Sequence, residues 1–207
     1  MNIVILGPQG SGKGTQAKKL GIYLKIPHVD AGKLLREKIM TGSEIGQKIK
    51  MVIEKGGLIS DKIMSKIIKE RLIQTDCDGG FVLDGFPRDL KEAEFLDELW
   101  EVDKVIFLEV SDGVAVARLS NRWQCEKCNE IYGVDVEPKK KGLCDVCGGK
   151  LFQRADDTPK AIKKRLAVFH DETEHLAEYY KPRNVLVRVD ASKSIDAVFE
   201  LVLNSLE

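Results

Sequence analysis

The stretch that decides the fold is Ile5-Leu6-Gly7-Pro8-Gln9-Gly10-Ser11-Gly12-Lys13-Gly14-Thr15, ILGPQGSGKGT, close to the start of the chain. The run leading into it, Asn2-Ile3-Val4-Ile5-Leu6, is short, apolar and ends in glycine, so it reads as a buried strand. Beyond it Ala17, Leu20 and Leu24 recur at helical spacing. In this strand-loop-helix setting, Gly7-x-x-x-x-Gly12-Lys13 has the pattern of a phosphate-binding loop. Its glycines let backbone N–H groups curl round phosphate oxygens, the helix N-terminus adds its dipole, and the lysine adds a point charge. Gly14 stands where Ser or Thr usually follows the lysine, and Thr15 comes one residue later. A plain glycine-rich turn would explain neither the lysine nor the flanking elements. The loop is therefore predicted to hold a nucleoside triphosphate.

Further buried strands are predicted at residues 80–85, 105–110 and 185–189, with a short one at His28-Val29-Asp30. Helical spacing links Ile63, Ile67, Ile68 and Leu72, then Val114, Ala117 and Arg118. It returns at Ile162, Leu166, Phe169 and Leu176, and at Ile195, Val198, Phe199 and Val202. Strands alternating with helices imply an α/β fold with three layers, a five-stranded parallel sheet covered by helices on both faces. Ligands of such sheets bind beyond the carboxyl ends of the strands. Gly7 and Asp84 both lie there, and Asp84 is the natural carboxylate for Mg²⁺, directly or through water. Residues 31–60 read as helices without a strand, and residues 122–157 are polar and nearly aperiodic. Both look like insertions at the ligand end.

Lys+Arg and Asp+Glu are both 33. A net charge of zero argues against a nucleic-acid backbone binder. No apolar run reaches the ~18 residues of a membrane span, and the first residues lack the basic flank of a signal peptide. A cytoplasmic protein, monomeric by default, is the expectation. Of five cysteines, Cys77 stands alone and reads as a small, semi-buried side chain. Cys125, Cys128, Cys144 and Cys147 form two Cys-x-x-Cys pairs, the spacing of a structural zinc site with no open coordination position. Such a knot would replace the core that a short insertion cannot build. A nucleic-acid-binding zinc ribbon using Trp123, Tyr132 and Lys139 to Lys141 is the distant alternative; those lysines read more simply as a solvated turn.

GPQGSGKGT, LDGFPR, CEKC…CDVC and QRADD occur in that order along the chain. Together they resemble the nucleoside monophosphate kinases, above all the adenylate kinases with a long, zinc-bearing lid. The resemblance covers nearly the whole chain. It implies reversible transfer from Mg·NTP to a nucleoside monophosphate, ATP + AMP ⇌ 2 ADP, with GMP, CMP or UMP acceptors or a GTP donor as the neighbouring alternative. It implies a core of residues 1–30, 61–121 and 158–207, a monophosphate-binding domain at 31–60 and a lid at 122–157, both insertions closing over bound nucleotides. It assigns ATP binding to Gly10, Ser11, Gly12, Lys13, Gly14, Thr15, Arg118, Arg122 and Lys193. AMP binding falls to Ala31, Arg36, Gly57, Leu58, Ile59, Gly85, Phe86, Arg88, Glu92, Arg154 and Arg165. Lys13, Arg88, Arg122, Arg154 and Arg165 are the implied catalytic set, and Asp156 and Asp157 the hinge acids.

The chain departs from that pattern at Ala31, where the family has Thr, and at Glu92, where it has Gln. Glu92 is expected either to face the base, relaxing the preference for adenine, or to swing into solvent towards Lys91. Phosphoryl transfer needs charge neutralisation and alignment more than a general base. In keeping with that, His28, His170 and His175 are expected to be scattered, with no His–acid pair. Arg165 lies three residues from Ile162, at the edge of an apolar stripe. Thr158 and Pro159 read as the cap and first residue of a helix.

Overall fold

The computed structural model describes residues 1–54 and 59–206. The chain opens with β1 (Asn2–Leu6), α1 (Lys13–Leu24) and β2 (His28–Asp30), followed by α2 (Ala31–Met40), α3 (Glu44–Glu54) and α4 (Asp61–Leu72). Next come β3 (Phe81–Asp84), α5 (Leu90–Leu99), β4 (Lys104–Glu109) and α6 (Asp112–Ser120). β5 (Trp123–Cys125), β6 (Ile131–Tyr132) and β7 (Leu151–Phe152) lie in the second insertion. α7 (Pro159–Val168), α8 (Leu176–Tyr180), β8 (Leu186–Asp190) and α9 (Ile195–Asn204) complete the order.

The central sheet runs β2-β3-β1-β4-β8, with every neighbour parallel. Strand periodicity divides its side chains between two cores. Ile3 and Ile5 of β1 join Val82, Ile106 and Leu108 under Ala17 and Leu20 of α1 and Val198 and Val202 of α9. Val4 and Leu6, with Phe81, Leu83, Val105 and Phe107, pack on the other face against Leu35, Ile68, Leu96 and Tyr180. Each fully buried aliphatic or aromatic side chain removes apolar area worth ~1.5–3 kcal/mol. β1 lies at the middle of the sheet, so Ile5 stands beside both Asp84 and Ile106. That register sets the phosphate loop next to the end of β3.

Helix starts obey the capping rules. Asp30, Asp89, Ser111, Thr158 and Ser194 each accept an N–H from the first turn of the next helix. Thr158 caps α7 with Pro159 in its first turn, as predicted. Thr158→Ala should cost about 1 kcal/mol, read by urea unfolding, because it frees one buried donor.

Two elements depart from the sequence reading. α5 was not predicted, because its apolar face is narrow; only Ala93 and Leu96 are buried hydrophobics on it. Its signal was the cap: Asp89 accepts from Glu92 N, and Glu92 Oε2 accepts from Arg88 N, a near capping box. The single helical stripe predicted from Ile162 to Leu176 is broken. After α7 a π turn spans Phe169–Thr173, with Glu174 N donating to Phe169 O, before α8 begins. The wider turn buries both Phe169 and Thr173.

The second insertion is an antiparallel sheet, β6-β5-β7, around a very small core of Cys125, Tyr132, Cys144 and Leu151. Lys18 pairs with Glu130 and Arg118 with Asp135, joining the insertion to α1 and α6. Cys77 is buried in the main core, deeper than the semi-buried place expected of it. Among the described residues no helix is long and apolar enough to cross a membrane.

Candidate active site

A cleft lies beyond the carboxyl ends of the strands. The phosphate loop forms its floor, Asp30 to Arg36 and Ile59 one wall, and Ile131 to Val136 of the second insertion the other. The loop needs its glycines. Gly10 has φ +86°, and a Cβ there would meet Ala115 O at 2.7 Å. Gly12 has φ +91° and caps α1 in the left-handed region. Gly14 has a different reason: a Cβ there would lie 3.3 Å from Asp84 Oδ2. The missing Ser/Thr side chain thus leaves room for the carboxylate. Ser11 is buried beneath the loop, whereas Gly10, Gly12, Lys13, Gly14 and Thr15 line the cleft.

Lys13 Nζ donates to Gly7 O at 2.7 Å and Pro8 O at 2.8 Å. Desolvation lowers its pKa to about 8, against the pull of Asp84 and with the help of Arg88, Arg165 and Arg122. Arg36, Arg88, Arg118, Arg122, Arg154 and Arg165 all line the same cleft. Six guanidiniums and an ammonium repel one another unless anions lie between them. Burial, then the charges of Arg122 and Arg36, pulls Arg154 down to about 9. Acids offset part of this charge: Arg36 pairs with Asp30 (3.3 Å) and Arg118 with Asp135 (3.1 Å). Arg122 is bidentate to Asp157 (2.8 and 2.5 Å), and Arg165 meets both Asp156 (2.9 Å) and Asp157 (3.2 Å). Arg165 was singled out at the edge of an apolar stripe, and its guanidinium is indeed mostly covered.

The remaining predicted residues fall in several places. Ile59, Gly85 and Asp84 line the cleft. Ala31 and Phe86 are fully buried behind its wall. Arg118 donates to the carbonyls of Ala191 and Lys193 and pairs with Asp135, so in this arrangement its guanidinium is tied down at the cleft edge. Gly57 and Leu58 lie outside the described residues.

Glu92 takes neither of its two expected positions. It is 3% exposed, and its carboxylate accepts the Arg88 N–H at 2.8 Å. Asp61 and Asp89 bring carboxylate oxygens within 4.8 Å of it. Burial lifts its pKa from 4.5 to about 7, with Asp89 and Asp61 adding to the rise and the Arg88 N–H and guanidinium opposing it. A raised carboxyl pKa means that the folded state holds the proton more tightly than the unfolded one. This group's contribution therefore falls as pH climbs from about 4.5 through 7. Glu92→Gln keeps an acceptor for Arg88 N–H and offers its NH₂ to the two aspartates. It is expected to stabilise the protein at pH 8 by on the order of 3 kcal/mol and hardly at all at pH 5. Urea unfolding at the two pH values checks this, and an equal difference at both would refute it.

The histidine expectation needs correcting. His28 Nε2 lies 3.7 Å from Asp84 Oδ2, and His170 bridges Asp112 (3.0 Å) and Glu174 (2.8 Å). His170–Glu174 is a local i,i+4 pair that the spacing could have shown, whereas His28–Asp84 and His170–Asp112 arise only where β2 meets β3 and α6 meets the π turn. Gln124 was missed as well: it is buried on β5 and accepts from Arg154 Nε at 2.6 Å. The sequence carried no signal for it: in Trp123-Gln124-Cys125 the polar residue is buried and the tryptophan exposed.

Away from the cleft, Cys125, Cys128, Cys144 and Cys147 gather their sulfurs within 4.8 Å of one another. Two Sγ–Sγ distances are 3.4 and 3.5 Å. A tetrahedral ZnS₄ centre with ~2.3 Å bonds has edges of about 3.8 Å, so the donor set fits zinc. None of the four lines the cleft.

A five-stranded parallel sheet, a phosphate loop at its switch point and a basic cleft between two insertions define a phosphate-loop nucleotide-binding protein. The comparisons with known proteins are more specific. The family profile described as adenylate kinase matches residues 5–185. An adenylate kinase of Thermosipho melanesiensis is 45% identical, over 99% of this chain and 98% of its own length. One from Methanosarcina acetivorans is 45% identical over 97% and 95%, and one from Caldicellulosiruptor saccharolyticus 42% over 100% and 99%. The chain belongs to the adenylate kinase family.

Proposed function

We propose that the chain interconverts ATP + AMP and 2 ADP, with the phosphate loop holding the donor and the opposite arginines the acceptor. The observation that carries this reading is the convergence of Lys13, Arg36, Arg88, Arg122, Arg154 and Arg165 on one cleft flanked by two insertions. That charge is more than one triphosphate needs, and it suits two phosphate chains meeting end to end. Gly10 to Thr15 and Lys13 cradle the donor phosphates. Arg118, with the Lys193 carbonyl beside it, lies where the donor base would stack. Arg36 and Arg88, with Ile59 and Gly85 beside them, hold the monophosphate. Arg122, Arg154 and Arg165 reach the transferring group as charge spreads over its oxygens. With reacting oxygens aligned and water excluded, the acceptor phosphate is itself the nucleophile, so no side-chain base is required.

Asp84, buried beside Gly14, is the residue that would hold Mg²⁺, through water, and the ion would neutralise charge on the donor phosphates. The four cysteines would hold zinc as a structural knot. Residues 31–60 form the monophosphate-binding domain and 122–157 the lid, on a core of 1–30, 61–121 and 158–207. The reading includes a monomer that binds nucleotides but no nucleic acid, in keeping with zero net charge. Unpaired thiols at metal-ligand spacing favour the cytoplasm.

The test is a steady-state panel of AMP, GMP, CMP and UMP against ATP and GTP. AMP with ATP should give the highest kcat/KM. ATP hydrolysis without transfer to any monophosphate would sink the reading.

A further inference from the structure

Arg88 is held from behind as well as aimed into the cleft. Its N–H is taken by Glu92 Oε2 at 2.8 Å, and its carbonyl accepts the Thr173 hydroxyl at 2.7 Å. Its own Nε donates to Gly85 O at 2.8 Å, which leaves its terminal nitrogens to meet a ligand. Both gripping side chains are nearly sealed from water, Glu92 at 3% and Thr173 at 8% exposure. They come from unrelated places: Glu92 from the first turn of α5, Thr173 from the π turn after α7. A buried backbone segment that is bonded at both its N–H and its carbonyl cannot rotate without leaving a donor or acceptor unsatisfied.

We propose that Glu92 and Thr173 are positioning residues that fix the Arg88 backbone, and through it the guanidinium that clamps the monophosphate. The proposal rests on the assignment of Arg88 to the acceptor side and adds the residues that orient it. It gives the π turn a purpose. Thr173 closes that turn, and its hydroxyl is the group that reaches the Arg88 carbonyl. The same chain segment begins at the hinge acids Asp156 and Asp157 and carries Arg165 on α7. One hydroxyl thus links the segment that carries Arg165 to Arg88. The proposal also explains how Glu can stand where the family has Gln: either side chain offers the acceptor that the Arg88 N–H needs.

The test uses Thr173→Val, which keeps the shape and removes the hydroxyl, Thr173→Ser, which keeps the hydroxyl, and Glu92→Leu. Calorimetric Kd values for AMP and ATP are measured in each, alone and on an Arg88→Ala background. Thr173→Val and Glu92→Leu should each weaken AMP about tenfold and leave ATP within twofold; Thr173→Ser should restore most of the AMP affinity. On the Arg88→Ala background the tenfold effect should vanish, because its only route has been removed. Hydrogen exchange at the Arg88 amide of the nucleotide-free protein reads the grip independently, and Glu92→Leu should speed it. An AMP effect that persists without Arg88, equal weakening of AMP and ATP, or no weakening in Thr173→Val overturns the proposal. Absence of transfer in the wild type counts against the assigned reaction instead, and the binding and exchange data still decide this point.

Discussion

Lys13→Met is expected to lower kcat for phosphoryl transfer by roughly 10³-fold while leaving the fold intact. Single preorganised donors aimed at developing charge contribute ~10²–10³ to turnover, and charges on a transferring phosphoryl group as much or more. Lys13 is such a group. It sits at the mouth of the phosphate loop, and its Nζ is parked on the carbonyls of Gly7 and Pro8, ready to exchange them for phosphate oxygens. The loop keeps its shape without it, because the Ser11 N–H holds the Pro8 carbonyl at 3.1 Å and the glycines set the turn. The variant should also lose a pH signature. Desolvation holds the Lys13 pKa at about 8 instead of 10.5. Between these values the unfolded chain binds the proton more tightly than the folded one. Wild-type stability should therefore gain a rising component between pH 8 and 10.5, and Met should abolish it. Stopped assays with purified variant and urea melts at pH 8 and 10 check both parts. Turnover within tenfold of wild type would remove Lys13 from the reaction.

Loss of the proposed zinc should have the largest effect on stability. Cys128→Ser with Cys147→Ser removes the two exposed ligands, one from each pair. The second insertion retains only Cys125, Tyr132, Cys144 and Leu151 as a core, too little apolar area to order some 35 residues against their chain entropy. Structural zinc contributes apparent binding free energies of about 10–16 kcal/mol in small domains. Without it residues 122–157 should lose hydrogen-exchange protection and the melting temperature should fall sharply. The cysteines do not line the cleft, so initial activity at low temperature should fall far less than stability. Its loss should come through misplaced Arg154, whose partner Gln124 lies on β5. A chelated protein with an ordered second insertion but no turnover would make the metal catalytic, against this account.

What could be read from the chain was local or strictly patterned. The phosphate loop was legible because one run of residues encodes strand, glycine turn, lysine and helix. The parallel sheet was legible because β1, β3 and β4 are buried on both faces and so carry unbroken apolar runs. The zinc site was legible because four ligands of one chemical kind occur at fixed spacing. The arginines were named by likeness to a family rather than by pattern, since a lone Arg looks the same at a clamp and on a surface.

The sequence by itself thus determined which groups are present and which elements carry them. Only the tertiary structure decided their partners. Glu92, read from sequence as a base-facing or solvent-facing acid, became the buried acceptor of the Arg88 N–H. His28 met Asp84 because β2 lies in register beside β3, with Asp30 opposite Asp84. Thr173 reached Arg88 across 85 residues from the π turn that follows α7. For Glu92 the bond is local and the fold supplied its burial; for His28 and Thr173 the fold supplied the partner itself. Helix and strand periodicities are local and survive in the sequence, whereas burial and contacts between distant residues depend on register and rotation, which packing alone sets.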